Sequence, residues 1–271
     1  MTAALSISDL NTFKAFANQL ADAAGQAILP HFRQALSIDN KHDGSGFDPV
    51  TAADRQAEEV IRAMIRRQFP DHGIMGEEYG FEAGRSPLTW VIDPIDGTRA
   101  FMCGMAQWGT LIALNDGTRP VVGVLDQPYT QERWIGAGGA AEFVRRGEAA
   151  RPLKSRRGQG LAQATLSTTS PVGYFDDAEQ RAFWALSNET RLTRFGGDCY
   201  AYGLVAHGFI DIIVESALKA WDVQALIPIV EGAGGVMTDW EGRTCADGGQ
   251  VVACGDPALL ARVLQVLADA R

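Results

Sequence analysis

Trp90-Val91-Ile92-Asp93-Pro94-Ile95-Asp96-Gly97-Thr98-Arg99 is the stretch that most narrows what this chain can fold into. Its first three residues have the aromatic and β-branched character of a buried strand. That strand drives straight into two carboxylates three residues apart. Pro94 has no N–H to give to a sheet, so the strand is expected to end around Asp93. Asp93 and Asp96 then fall on a turn at its end, with Thr98 near the start of the next element. Carboxylates in such a place are costly to desolvate unless a cation sits between them. The stretch therefore points to a divalent-metal site that handles phosphate. The alternative, an acid-rich turn in open water, is opposed by the burial expected of Trp90 to Ile92.

The rest of the composition narrows the class. A chain of 271 residues has room for one large domain or two ordinary ones with a substantial core. Its net charge of −9 is the wrong sign for a nucleic-acid partner. One basic cluster (Arg145, Arg146, Arg151, Lys154, Arg156, Arg157) has no interleaved aromatics and reads as a solvated linker or a subunit contact. Cys103, Cys199, Cys245 and Cys254 form no C-x-x-C, and His31, His42, His72 and His207 form no H-x-x-x-H, which argues against zinc. Residues 1–16 lack a basic segment followed by an apolar core, and no apolar run reaches the ~20 residues of a membrane span. A cytoplasmic protein with reduced thiols and no membrane partner is the expectation.

Along the chain, Ser8 is placed as the cap of a first helix carrying Leu10, Phe13, Ala17, Leu20, Ala24 and Ile28 on one face. A turn-rich stretch over 41–46 follows. Thr51 with Asp54 has the spacing of a capping box and opens a second helix, which turns Ala57, Val60, Ile61, Met64 and Ile65 inward and ends before Pro70. Residues 74–78 form a short strand running into Glu77 and Glu78. After the central stretch, apolar strands over 108–115, 121–126, 133–137 and 141–144, with no helix between them, predict an antiparallel sheet. Beyond the basic linker, strand and helix alternate: strands at 164–168, 191–195, 209–215, 236–239 and 250–254. Helices are expected at 176–188, 198–207 and 222–231, with a last one capped by Asp256 ahead of Pro257. The first half is thus α+β and the second α/β, divided here into 1–152 and 153–271.

Four segments place an acid at an element boundary: Asp54, Glu77 with Glu78, Asp93 with Asp96, and Asp222 after Trp221. Each has an ordinary reading, a helix cap for Asp54 and Asp222 and a solvated turn for Glu77 and Glu78. Together they form an oxygen-only donor set with no His or Cys, which suits Mg²⁺ before Zn²⁺. Two or three shared ions can clamp phosphate oxygens and activate water for in-line attack. Backbone N–H groups at Gly97-Thr98 can bind the phosphate, and the Thr98 hydroxyl can orient that water.

The combination of Gly76-Glu77-Glu78, Asp93-Pro94-Ile95-Asp96-Gly97-Thr98, Trp221-Asp222 and Gly232-Ala233-Gly234-Gly235, with Asp48-Pro49-Val50-Thr51-Ala52-Ala53-Asp54 upstream, resembles the inositol monophosphatase family in order and spacing. The resemblance implies a layered αβαβα sandwich of the sugar-phosphatase type, a homodimer, and Mg²⁺-dependent hydrolysis of phosphate monoesters. It further implies that Glu77, Asp93 and the Ile95 carbonyl hold one metal. Asp93, Asp96 and Asp222 would hold a second, and Glu77 would help with a weaker third. Thr98, hydrogen-bonded to Asp54, would position the water together with Glu77. The Asp96-Gly97-Thr98 backbone would take the phosphate.

Thr98-Arg99-Ala100-Phe101, Trp108-Gly109-Thr110-Leu111-Ile112 and Asp198-Cys199-Tyr200-Ala201-Tyr202-Gly203 resemble the histidinol-phosphatase branch of that family rather than its inositol-specific members. Histidinol phosphate has a cationic leaving alcohol near neutral pH, which an acid such as Asp198 or Glu215 would suit. Arg194 is a further candidate on the same wall. Asp198 is alternatively a helix cap, Glu215 a polar strand end and Arg194 an interdomain ion-pair partner. The expected activity is histidinol-phosphate hydrolysis, with an inositol or sugar phosphatase as the first rival and a non-catalytic regulatory or assembly factor as the second.

Overall fold

The computed structural model describes residues 5–34, 38–40 and 49–271. The turn expected over 41–46, His42 and Asp48 lie outside the described residues. Helix α1 spans Ile7–Ile28 and buries Phe13, Phe16, Ala17, Leu20, Ala24 and Ile28. Its cap is Ser6 rather than Ser8, because Ser6 and Asp9 form the reciprocal bonds of a capping box. A short hairpin of β1 (Ile38–Asn40) and β2 (Pro49–Thr51) leads into α2 (Ala52–Gln68), which Thr51 and Asp54 cap as expected.

The first sheet contains β3 (Gly73–Gly76), β4 (Gly80–Glu82), β5 (Thr89–Asp96), β6 (Gly109–Asn115), β7 (Pro120–Gln127), β8 (Glu132–Ala137), β9 (Ala140–Arg145) and β10 (Arg151–Pro152). Their order is β10-β9-β8-β7-β6-β5-β3-β4, antiparallel throughout except for the parallel pair β3 and β5. The linker beyond it is tied down locally: Arg156 Nε donates to Asp211 at 2.8 Å.

Pro94 does not stop β5. The strand runs on to Asp96 through a bulge, with Asp93 opposite Leu111 and Asp96 opposite Gly109. A bulge leaves residues outside the ladder, so the missing proline N–H is not needed there. The Pro94 carbonyl accepts the Thr110 hydroxyl instead, at 2.8 Å. The five-residue helix α3 (Thr98–Met102) follows at once.

The second sheet has β11 (Thr165–Thr168), β12 (Leu192–Phe195), β13 (Ile212–Lys219), β14 (Val236–Thr238) and β15 (Gly248–Cys254), in the order β12-β11-β13-β15-β14. It is mixed: β11 is parallel to β12 and β13, whereas β15 is antiparallel to β13 and β14. Strand β13 starts at Ile212 instead of 209 and continues past Glu215 through a second bulge. Helices α4 (Asp177–Glu189) and α5 (Asp198–Ala206) match expectation closely. The helix expected over 222–231 is two pieces, α6 (Ala220–Val223) and α7 (Leu226–Gly232). Pro228 has no N–H to return to the Gln224 carbonyl. The Gln224 side chain is held by Asn115 and the Ala246 carbonyl. Helix α8 (Pro257–Asp269) closes the chain with Asp256 as its cap.

Three apolar clusters stack these elements into five layers. One joins α1 and α2 to a face of the first sheet and contains Trp90 and Ile92, each contributing roughly 1.5–3 kcal/mol by burial. A second fills the space between the two sheets around α5 and α7, with Trp134, Tyr202 and Ile229. The third seals the outer face of the second sheet under α4 and α8, with Phe183 and Val263. The arrangement is the αβαβα sandwich expected. None of the described helices is long and apolar enough to cross a membrane.

Candidate active site

Both bulges open onto one cavity of ≈ 480 Å³, lined by Glu77, Asp93, Asp96, Thr98 and Asp222 together with Tyr174, Asp198 and Glu215; Asp198 packs against Gly97, next to Asp96. A bulge twists its strand and re-aims side chains. Here one bulge follows Asp93 on β5 and the other follows Glu215 on β13. Glu77 reaches the site because its N–H pairs with the Ile92 carbonyl at 3.2 Å, setting the turn after β3 beside the end of β5. Asp222 enters from the second half on α6, its carboxylate accepting the Lys219 N–H at 2.7 Å. Asp222 is not the cap of a helix over 222–231: Lys219 caps α6, Asp222 is its third residue, and its carboxylate lines the cavity.

Ligand-type oxygens of Asp93, Asp96 and Asp222 lie within 4.8 Å of one another. Burial, then the neighbouring charges of Glu77, Asp96 and Asp222, push the Asp93 carboxyl well above the usual range. Asp96 moves the same way through burial, Asp222 and Asp198, although the Cys199 N–H, donating at 2.7 Å, opposes it. Burial lifts Asp222 to about 7. Carboxylates this crowded and poorly solvated hold protons tightly, and oxygen donors that compete for protons in this way fit a hard divalent cation.

Gly97 joins the bulge to α3 with φ +85, and a Cβ there would meet the Gln107 carbonyl at 2.9 Å, so the turn needs glycine. The Thr98 hydroxyl donates to the Ile95 carbonyl at 3.0 Å. The expected bond from Thr98 to Asp54 is therefore not formed. Asp54 Oδ2 instead accepts the Thr51 N–H and hydroxyl, while its Oδ1 is buried without a hydrogen-bond partner. Burial raises this carboxyl to about 6 against the pull of Thr51.

Asp198 does not cap α5. It is the first helical residue, Gly197 is the cap, and no side-chain cap bond forms. Asp198 takes φ +42, a strained choice for a residue with a side chain, of the sort found where a site over-determines the backbone. Burial lifts its carboxyl to about 6, moderated by the Arg99 guanidinium. Arg99 also donates to the Tyr174 hydroxyl and sits 4.9 Å from that ring's centroid. Glu215 accepts from Thr169 N at 2.8 Å and Thr169 Oγ1 at 2.9 Å, and burial raises it to about 7. Arg194 stands apart: it is exposed on edge strand β12 and does not line the cavity. Sequence reasoning missed Thr169 and Tyr174, which arrive on the loop after β11 with no local motif to mark them.

Residues 9–270 match the model of the inositol monophosphatase family. The chain is 40% identical over 274 residues to the chloroplastic bifunctional phosphatase IMPL2 of Arabidopsis thaliana, covering 97% of this chain and 77% of that protein. It is 36% identical over 243 residues to a histidinol-phosphatase of Streptomyces coelicolor, covering 88% of this chain and 90% of that one. Among solved structures, an inositol monophosphatase from Zymomonas mobilis superposes with a TM-score of 0.85 at 41% identity, over 97% of this chain and 100% of that chain.

Proposed function

The chain belongs to the inositol monophosphatase family, and on that premise we propose that it hydrolyses histidinol phosphate to histidinol and phosphate. Phosphatase chemistry comes with the family; the leaving group is the proposed part. The observation that carries it is one cavity lined by the acid cluster and by a further buried acid, Glu215, outside that cluster. A cationic alcohol fits such a lining better than a neutral polyol, since burying a carboxylate is costly unless a charge answers it.

Asp93, Asp96, Asp222, Glu77 and the Ile95 carbonyl are the donors for two or three Mg²⁺ ions, which supply positive charge for the phosphate oxygens and make water nucleophilic near neutral pH. The protein's own part is positional. Backbone N–H groups of Asp96-Gly97-Thr98 receive the phosphate, and Glu77 with Thr98 orients the attacking water. Asp54 enters as the proton acceptor behind Thr98: once the Ile95 carbonyl is engaged elsewhere, the Thr98 proton needs a new partner, and Asp54 Oδ1 has none. Its carboxyl, raised to about 6, suits that task. Asp198 and Glu215 receive the cationic leaving group. Arg194, outside the cavity, has no part in this scheme. A homodimer in the cytoplasm belongs to the same proposal, and size-exclusion chromatography with light scattering tests its first half.

A second reading, an inositol or sugar-phosphate phosphatase, draws on the Zymomonas mobilis similarity and on Arg99, which already offsets the charge of Asp198. Comparing kcat/KM for histidinol phosphate, inositol 1-phosphate and several sugar phosphates separates the two. Histidinol phosphate is expected to lead by at least about tenfold, the worth of one charge-assisted contact; a neutral ester in first place would refute the proposal. A non-catalytic assembly role is disfavoured because no acid of the set is missing.

A further inference from the structure

Asp54, Glu58 and Arg62 form a polar stripe at four-residue spacing along the buried side of α2. Glu58 is 0% exposed, and Arg62 Nε donates to its Oε1 at 2.7 Å. The same carboxylate accepts two backbone N–H groups, from Glu78 at 2.8 Å and Tyr79 at 3.2 Å. Arg62 reaches over to donate to the Gly80 carbonyl. A Cβ on Gly76 would fall 1.9 Å from Glu58 Oε1, so the carboxylate fills the space directly beneath the turn and only glycine fits above it. Residues 78, 79 and 80 are thus bonded to one buried ion pair, which packs directly under Gly76. Between Gly76 and Glu78 stands Glu77, pinned from its other side by Ile92.

A buried ion pair adds little stability over a well-packed apolar pair, but it can specify one conformation. We propose that Glu58, braced by Arg62, is the positioning residue for Glu77: it clamps the turn that aims the Glu77 carboxylate at Asp93. Glu58 lies under the turn and does not line the cavity, so its effect on the reaction runs entirely through Glu77. This rests on the reading of Glu77 as part of the metal site. The sequence carried a signal for it, a charged i, i+4 pair in register with Asp54 along one helix face.

The test uses the full chain with Mn²⁺ as the probe. Glu58→Met with Arg62→Met removes the clamp without leaving a buried charge unpaired. Glu58→Gln with Arg62→Met keeps one acceptor oxygen and carries the test if the first variant does not fold. Amide exchange at Glu78 and Tyr79 is expected to speed up about tenfold or more while the centre of α2 stays protected. Mn²⁺ affinity is expected to fall by a similar factor, about tenfold, with the Gln variant in between. Ile61→Ala, buried on the same helix, serves as a stability-matched control that leaves Mn²⁺ affinity unchanged. Wild-type exchange and affinity in the double Met variant would overturn the proposal. So would an equal loss of affinity in Ile61→Ala. Absence of Mn²⁺ binding by the unaltered protein would instead overturn the metal-site reading, and the exchange rates alone would then decide whether Glu58 holds the turn.

Discussion

The cavity holds its acids in two different ways. In the cluster, Asp93, Asp96 and Asp222 crowd within 4.8 Å, and their charges oppose one another. Elsewhere in the lining, Glu215 has two donors from Thr169, and Asp198, packed against Gly97, is offset by Arg99. The first arrangement is complete only with added positive charge. The second has donors from the protein, yet burial still raises both carboxyls, so a cationic leaving group can complete it. Reaction and selectivity are thereby assigned to different acids of one cavity, and substitutions can test that division.

The largest effect is expected in the cluster. Asp93→Asn should lower Mg²⁺-dependent phosphate release by about 10³-fold or more, equally for cationic and neutral esters, because it removes charge from the reacting centre. Selective loss of one ester would break the division. Outside the cluster, Glu215→Gln should reduce kcat/KM for histidinol phosphate by about tenfold to a hundredfold, the value of one charged hydrogen bond of about 1.5–3 kcal/mol. Inositol 1-phosphate turnover should change far less, and steady-state kinetics on both esters reads the difference. Asp198→Asn should act in the same direction but more weakly, by about threefold, since Arg99 already answers much of that charge. Equal losses on both esters would remove Asp198 from the recognition of charge.

The smallest expected effect is on stability. Burial lifts Asp222 to about 7, above its ordinary value of 3.8. A carboxyl raised on folding favours the folded state most when protonated, so its contribution is complete below about pH 4 and is lost as pH rises through 7. Melting of the metal-free protein should therefore fall by a few degrees between pH 5 and pH 8. Saturating Mg²⁺ should flatten that slope by stabilising the ionised form. Glu215, also raised to about 7, contributes in the same direction. The slope left under Mg²⁺, measured with and without Glu215→Gln, separates Glu215 from the cluster.

Much of the cluster was legible because each acid sits in a local signal. Asp54 follows Thr51 at capping spacing, and Asp93 and Asp96 end an apolar run. What went astray there was the detail of the backbone. Pro94 was expected to stop β5, yet a bulge absorbs it, and whether a bulge forms depends on β6 opposite. The Thr98 hydroxyl turns to Ile95 instead of Asp54. The rest of the lining was less legible. Glu215 and Asp198 were identified, but Arg194 faces away on an edge strand, and Tyr174 and Thr169 carried no signal. Nothing in the neighbours of a loop residue says which strand end it will meet.

The layer-forming elements, the family and the acids of the cluster are readable along the chain, because amphipathic period, caps and short motifs are written in residues close together. That Asp222 closes on Asp93 across more than a hundred residues, that Glu58 stands under Glu77, and that Arg99 offsets Asp198 are visible only in the folded molecule. These depend on how two sheets and their helices pack through a shared core. That packing is set by the summed burial of many side chains, and no single stretch of sequence contains it.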